Sequence, residues 1–280
     1  MKKYISCEIV NQFRTYLEEE ERSAATIEKY LRDIRKFNCF CGTGTEISKA
    51  LVISYKNWLH DYYEISSVNS MLVALNQLFR FLGWTELIIK PFKQQQQSFR
   101  SSDKELSRDE YVRLTQIAQR KGQTWLYLIM VTMCATGIRV SELPFITVES
   151  LSTRQAIVRN KGKTRRVILP LDLCRKLRIF TKERKITHGS IFVTKTGRPI
   201  DRSNIHHAMK KLCAEAGVEA GKVFPHNLRH LFAVEHYEKH HDLGGLASIL
   251  GHSNINTTRI YTMVSIERKA VEVDALGLVV

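Results

Sequence analysis

Residues 156–169 read AIVRNKGKTRRVIL, and here a chain of helical periods turns to strand. Two β-rich runs flank NKGK, so the stretch predicts a hairpin. Arg159, Lys161, Lys163, Arg165 and Arg166 fall within eight residues around its tip. Such a cationic finger can enter a DNA groove or bring a lysine to a phosphate. A solvated charged turn accounts for it as well when the stretch is taken alone. On either side the periods are helical, which predicts a mainly α protein with one small β element.

Upstream, WLYLIMVTMCA (125–135) predicts a buried helix, and LSRDEYVRLTQIAQR (106–120) predicts a helix capped by Ser107 with acids in its first turn. ATGIRVSEL (135–143) follows. Gly137 breaks one helix just before the next, which places Arg139 at the start of the second, with Glu142 three residues on to hold it. Before these, SCEIVNQFRTYLEEE, SAATIEKYLRDIRKFNCF, EISKALVISYKNWLHDYYE and SVNSMLVALNQLFRFLGW predict four helices with short joints, a small bundle. KQQQQSFRSSDKE (93–105) has no apolar period and reads as a linker. The expected organisation is a helical domain over 1–92, a linker over 93–104 and a second domain over 105–280.

The chain has 280 residues and a formal net charge of +15. That charge draws polyanions: DNA, RNA or an anionic membrane surface. It is uneven. Residues 1–100 hold 14 Lys/Arg against 11 Asp/Glu, and residues 101–280 hold 29 against 17. The stronger polyanion contact is therefore expected in the second part. The eleven-residue apolar run is short of the roughly 20 needed to span a bilayer, and the N-terminus has no uninterrupted apolar core. Both disfavour membrane insertion and secretion. The six cysteines are scattered with no C-x-x-C pair, as expected of free, mostly buried cytosolic thiols.

Downstream, FPHNLRHLFAVEHYEK (224–239) has Pro225 suited to a first helical turn. At about 100° per residue, Leu228, Leu231 and Phe232 share one face, and His226, Arg229, His230 and Ala233 the opposite one. The first face is expected to pack inward, leaving His226 and Arg229 side by side at a helix N-terminus, a ready anion site. A solvated basic face is the plainer alternative. LGHSNINTTRIYT (250–262) places Tyr261 nine residues after His252. Nine residues at about 100° put the two on opposite sides of one straight helix. To serve one site the chain must break between them, and HSNIN is rich in cap and turn residues.

Two arginines, a lysine, two histidines and a tyrosine on a basic scaffold suit phosphoryl transfer. Guanidiniums clamp the charge that builds on non-bridging oxygens, tyrosine is a competent nucleophile, and lysine or histidine can protonate a leaving oxygen. No Asp/Glu cluster of metal-binding type is evident, so two-metal hydrolysis is the weaker option.

ATGIRVSEL, HNLRHLFA and LGHSNINTTRIYT, in this order, resemble the signature of the tyrosine recombinase (phage-integrase-like) family over roughly residues 105–265. The first 90 residues are similar, less specifically, to that family's helical, SAM-like core-binding domain. The resemblance implies that Arg139 and Arg229 bind the scissile phosphate. Tyr261 attacks it, leaving a 3′-phosphotyrosyl bond and a free 5′-hydroxyl. His226 acts as general base, or as acid in the reverse step, and His252 donates to a phosphate oxygen. Lys161 matches the hairpin lysine that protonates the departing oxygen, with Lys163 close by, and Glu142 matches the acid that braces Arg139. Leu231 stands where relatives often carry threonine. Also implied are a C-shaped clamp on double-stranded DNA at a specific site, four protomers on two sites, strand exchange through a Holliday junction, and no need for ATP, metal or other cofactor. The cytoplasm, in association with the nucleoid, is the implied location. The apolar tail VEVDALGLVV (271–280) docks either on a neighbouring protomer or on its own domain. The other readings are an inactive sequence-specific DNA-binding relative and a type IB topoisomerase. The short chain and N-terminal bundle favour the recombinase, of Xer-like or small mobile-element type.

Overall fold

Serine hydroxyls start the first three helices. Ser6, Ser23 and Ser48 each accept from the backbone N–H three residues on, beginning α1 (Cys7–Glu19), α2 (Ala24–Cys41) and α3 (Lys49–Tyr62). Each cap satisfies one of the donors that a helix start leaves unpaired. α4 (Ile65–Phe81) completes the set. The structure, a computed structural model, describes residues 3–42, 44–93, 104–160, 162–194, 196–252, 254–262 and 274–275. It divides into two units, Met1–Gln96 and Gln97–Val280.

In the first unit each helix turns its apolar stripe inward, so Phe13, Leu17, Leu31, Phe37, Tyr55 and Phe79 are fully or almost fully buried. Two asparagines on α4 secure the chain that leaves it. Asn76 both donates to the Ile89 carbonyl (2.8 Å) and accepts from its N–H (3.0 Å), and Asn69 does the same for Phe92 (3.0 and 2.8 Å). Each amide thus replaces a backbone partner where no strand is available. The cysteines are free thiols, but the expectation that most are buried is corrected. Only Cys174 and Cys213 are buried, while Cys7 and Cys39, on the outer faces of α1 and α2, are exposed.

The second unit opens with α5 (Arg108–Arg120), closed by a reciprocal cap between Ser107 and Glu110. α6 (Thr124–Thr136) is apolar all round and buried. It ends at Gly137 in the left-handed region (φ 65°), where a Cβ would lie 2.4 Å from the Phe232 ring. The chain restarts, but as a tight 3-10 turn over Val140–Phe145; Pro144 lies inside it and cannot donate an i→i−4 hydrogen bond. After α7 (Val148–Thr153) come β1 (Gln155–Asn160) and β2 (Lys163–Ile168), an antiparallel pair in the register Gln155↔Ile168 to Asn160↔Lys163. Ala156, Val158, Val167 and Leu169 face the core, whereas Ile157, Arg159, Arg166 and Ile168 face out. α8 (Leu171–Glu183), α9 (Arg202–Lys210), α10 (Cys213–Ala216), α11 (Pro225–His240), α12 (Leu243–Leu250) and α13 (Asn256–Arg259) follow, with a final 3-10 turn over Ile260–Thr262. Among the described residues no helix is long and apolar enough to cross a membrane.

The face assignment on α11 is corrected. Leu228 and Leu231 are buried as expected, yet Arg229 and Ala233 on the opposite side are buried too, Arg229 at 1% exposure. α11 lies against α6 on one side and α12 on the other, so both faces find cover. A face bearing an arginine can be covered here because the guanidinium is given acceptors.

Candidate active site

Four elements meet around two buried charges. Glu142, in the 3-10 turn after Gly137, is fully buried. Its carboxylate accepts from the Arg139 backbone N–H (2.8 Å) and Arg139 Nη1 (3.1 Å). It also accepts both terminal nitrogens of Arg165 from β2, at 2.7 and 2.8 Å. Burial alone would raise the Glu142 pKa, but these donors outweigh it and hold the carboxyl at about 2. Arg165, expected among the DNA-contacting cations of the finger, is therefore placed differently. It pairs with Val158 on the inward side of the hairpin, donates to Glu142, and gives its Nε–H to the Ile249 carbonyl at 3.1 Å. A two-residue period puts Arg165 on the core side with Val167, and that alternation is the physical reason.

Arg229 is the second buried charge. Nη1 donates to the Gly137 carbonyl (2.6 Å) and Nη2 to the Leu250 carbonyl (2.8 Å). These are carbonyls at the C-terminal ends of α6 and α12, groups that a helix leaves without partners. The guanidinium thus satisfies two helix ends at once. Its Nε–H has no hydrogen-bond partner among the described residues. Burial pulls its pKa down to about 10, so it stays charged near neutral pH.

The break expected between His252 and Tyr261 is present. α12 stops at Gly251 (φ 67°), and a fresh helix begins at Asn256. The two rings come together, stacked at 17° with centroids 6.3 Å apart. His252 Nε2 lies 2.8 Å from Arg229 Nη2, and its Nδ1 lies 2.8 Å from Thr258 Oγ1. Burial first, then the positive fields of Arg229, Arg139 and Arg165, lower the His252 pKa to about 4. Tyr261 is 3% exposed and packs with Ala233, Val234, Leu246 and Leu250. Burial raises its phenol, while Arg229 beside the hydroxyl and Arg139 pull it down. The hydroxyl is therefore not lost in apolar packing: a guanidinium faces it.

Arg139, Arg202, His226 and Arg229 line one cleft of about 460 Å³ beside Pro144 and Pro225. His226, in the first turn of α11, has its pKa lowered by burial and by Arg229, Arg139 and Arg202. A neutral imidazole among three guanidiniums can accept a proton, and the cleft as a whole can take an anion. Arg159, Lys163 and Arg166 are exposed around the hairpin. Lys161, expected as the hairpin acid, lies outside the described residues, as do linker residues 94–103 and the tail 271–280 apart from 274–275. Among the described residues no group of three or more His, Cys, Asp or Glu side chains could hold a metal.

Two residues at this site were not singled out from the sequence. Arg202 follows Asp201, whose side chain accepts from Ser203 N–H and starts α9 at the cleft. The cap could be read in DRSN, but nothing in it says which cleft the helix faces. Thr258 is one of several small polar residues in NINTTR, and only the fold brings it to His252.

A model described as phage integrase family matches residues 104–268, and one described as phage integrase, N-terminal SAM-like domain, matches 10–86. The chain belongs to the phage integrase family. Within this family, the tyrosine recombinases, it is similar to the tyrosine recombinase XerA of Thermococcus kodakarensis, at 31% identity over 95% of this chain and 94% of that one. It is also similar to tyrosine recombinase XerD of Vibrio cholerae, at 29% identity over 79% and 78%. Among solved structures, XerH bound to difH substrate as a pre-cleavage complex shares the fold, with a TM-score of 0.72 at 19% identity over 97% of this chain and 85% of that one. The mainly helical fold with one two-stranded sheet is thus that of a tyrosine recombinase, and the enzyme class is tyrosine site-specific recombinase.

Proposed function

We propose that this recombinase cuts and rejoins double-stranded DNA at a specific site through a covalent bond to Tyr261, with the phosphate held in the cleft by Arg139 and Arg229. One observation carries the reading: Arg229 lines the cleft and its positive charge also acts on the buried Tyr261 phenol. A phosphodiester in the cleft would be held by Arg229, whose buried Nε–H has no partner among the described residues, together with Arg139 held by Glu142. Tyr261 Oη then attacks phosphorus, and the bond to the 5′ oxygen breaks. The phenolic proton passes to neutral His226, and the leaving oxygen takes its proton from the hairpin lysine, Lys161 or Lys163. Arg159 and Arg166 meet the DNA backbone. The energy of the broken ester is retained in the phosphotyrosyl bond, so rejoining needs no added energy source.

Residues 1–92 serve as the core-binding domain, 93–104 as linker and 105–280 as catalytic domain, in keeping with the two compact units and the two family matches. Four copies on two DNA sites exchange strands in pairs through a Holliday junction, in the compartment that holds the chromosome. The test begins by mapping where the purified protein protects its host's DNA. Two direct copies of that site on one plasmid should yield a deletion circle. Tight binding to the mapped site with no exchange would favour an inactive DNA-binding relative. Relaxation of supercoils without site preference would favour a topoisomerase.

A further inference from the structure

The partners of His252 dictate where its proton sits. A guanidinium only donates, so Nε2, 2.8 Å from Arg229 Nη2, must carry the lone pair. The proton of the neutral ring is then on Nδ1, and Thr258 Oγ1 accepts it at 2.8 Å. Thr258 is fully buried in α13 and stands three residues before Tyr261, which lies in the 3-10 turn that follows directly. The family resemblance implies that His252 donates to a phosphate oxygen, and with Nδ1 held by Thr258 that donor would be Nε2. The two contacts of the ring in the structure fit the opposite tautomer. A second proton on the ring is opposed by the cations around it, Arg229 on α11, Arg139 just before the 3-10 turn and Arg165 on β2. The remaining route is exchange of one tautomer for the other.

We infer that Thr258 is a positioning residue that lets His252 change tautomer: its hydroxyl accepts from Nδ1–H while the site is free of DNA, and turns to donate to Nδ1 when a phosphodiester takes Arg229. In that exchange Nδ1 gives its proton to water and Nε2 takes one from water, so the ring stays neutral and no charge is created. A hydroxyl can serve both states by rotating about its C–O bond. Valine can serve neither, and a carboxylate only the first. Because α13 runs directly into the turn that carries Tyr261, the same hydrogen bond joins the histidine to the segment before the nucleophile.

The inference rests on the recombinase reading, and nitrogen-15 NMR of the histidine rings of the full chain tests it, with His252 assigned by a His252→Asn spectrum. The free protein should show His252 protonated at Nδ1. The Tyr261→Phe chain, bound to a duplex of the mapped site and so unable to cut it, should show protonation at Nε2. An Nε2 proton in the free protein, or an Nδ1 proton retained on DNA, overturns the proposal. Thr258→Ser should keep both states. Thr258→Val should leave Nδ1 protonated in the free protein, because Arg229 still donates to Nε2, and should slow covalent adduct formation about tenfold to a hundredfold, as loss of one buried hydrogen bond would. A valine variant that cleaves at the wild-type rate also overturns it. Should the valine variant not fold, the serine variant and the two wild-type-threonine spectra still decide. Absence of any adduct from the wild-type chain would instead remove the recombinase reading, while the free-protein spectrum would still report which nitrogen of His252 carries the proton beside Arg229.

Discussion

The helical unit and the catalytic unit bury different things. In the first, polar groups under cover are few and local: Asp33 is met by Lys29 one turn away, and Asn76 stands in for a backbone partner. In the second, a complete guanidinium and a complete carboxylate are buried, and each is held by elements far apart in sequence. A buried charge is costly unless paired and hydrogen-bonded. The first unit meets that cost at Asp33 with a lysine one turn away, and the second meets it with helix-end carbonyls and arginine forks from distant elements. Where a fold accepts such a cost, the residues concerned are candidates for function, and here they surround the cleft.

The sharpest way to break this contrast is Arg229→Met. It would leave the Gly137 and Leu250 carbonyls and His252 Nε2 without their donor and remove the cation beside Tyr261. Adduct formation should fall about 10²- to 10³-fold or more, read on a nicked suicide substrate. An unchanged rate would separate the buried charge from the chemistry.

Glu142→Gln comes next. It leaves two guanidiniums around a neutral amide, and loss of one partner from a buried pair costs about 3–5 kcal/mol, measured as a lower melting temperature of the catalytic unit. The sign of the pH effect is fixed by the carboxyl, held at about 2 against an ordinary value of 4.5. Its contribution, about 3 kcal/mol at most, is fully present above pH 4.5 and is lost as pH falls towards 2. The Gln variant should lack that acid-dependent part, and an identical acid-unfolding curve would contradict the pairing. Asn76→Ala sharpens the contrast from the other side. It should cost about 1–3 kcal/mol through the Ile89 contacts and leave the rate of strand cleavage unchanged once DNA is saturating. The smallest effect is expected at Arg166→Ala, an exposed cation facing away from the core. It should weaken binding on all sequences alike and reduce the salt slope of log K by about one, read by titration at several salt concentrations.

The same contrast explains what was legible beforehand. The four bundle helices could be read because serine caps and a 3.6-residue stripe are local signals, and the hairpin because alternation and a glycine turn are local too. The ordered motifs carried Arg139, Glu142, His226, Arg229, His252 and Tyr261, and the geometry of nine residues foretold the break before Tyr261. What could not be read depends on distant partners. Arg229 lies on a face that looks solvated until Gly137 and Leu250 are brought to it, and Arg165 looks like one more cation of the finger until Glu142 takes it. Arg202 and Thr258 carry no pattern of their own, and only the packing of α9 and α13 gives them a role.

The central claim is that the phenol held beside Arg229 becomes joined to DNA. Digestion of the covalent complex trapped on a suicide substrate, followed by mass spectrometry of the peptides, tests it most directly. A nucleotide is expected on the peptide containing Tyr261, joined through a 3′ phosphate, with no adduct from Tyr261→Phe. A nucleotide on any other residue, or an adduct that survives in the phenylalanine variant, would contradict it.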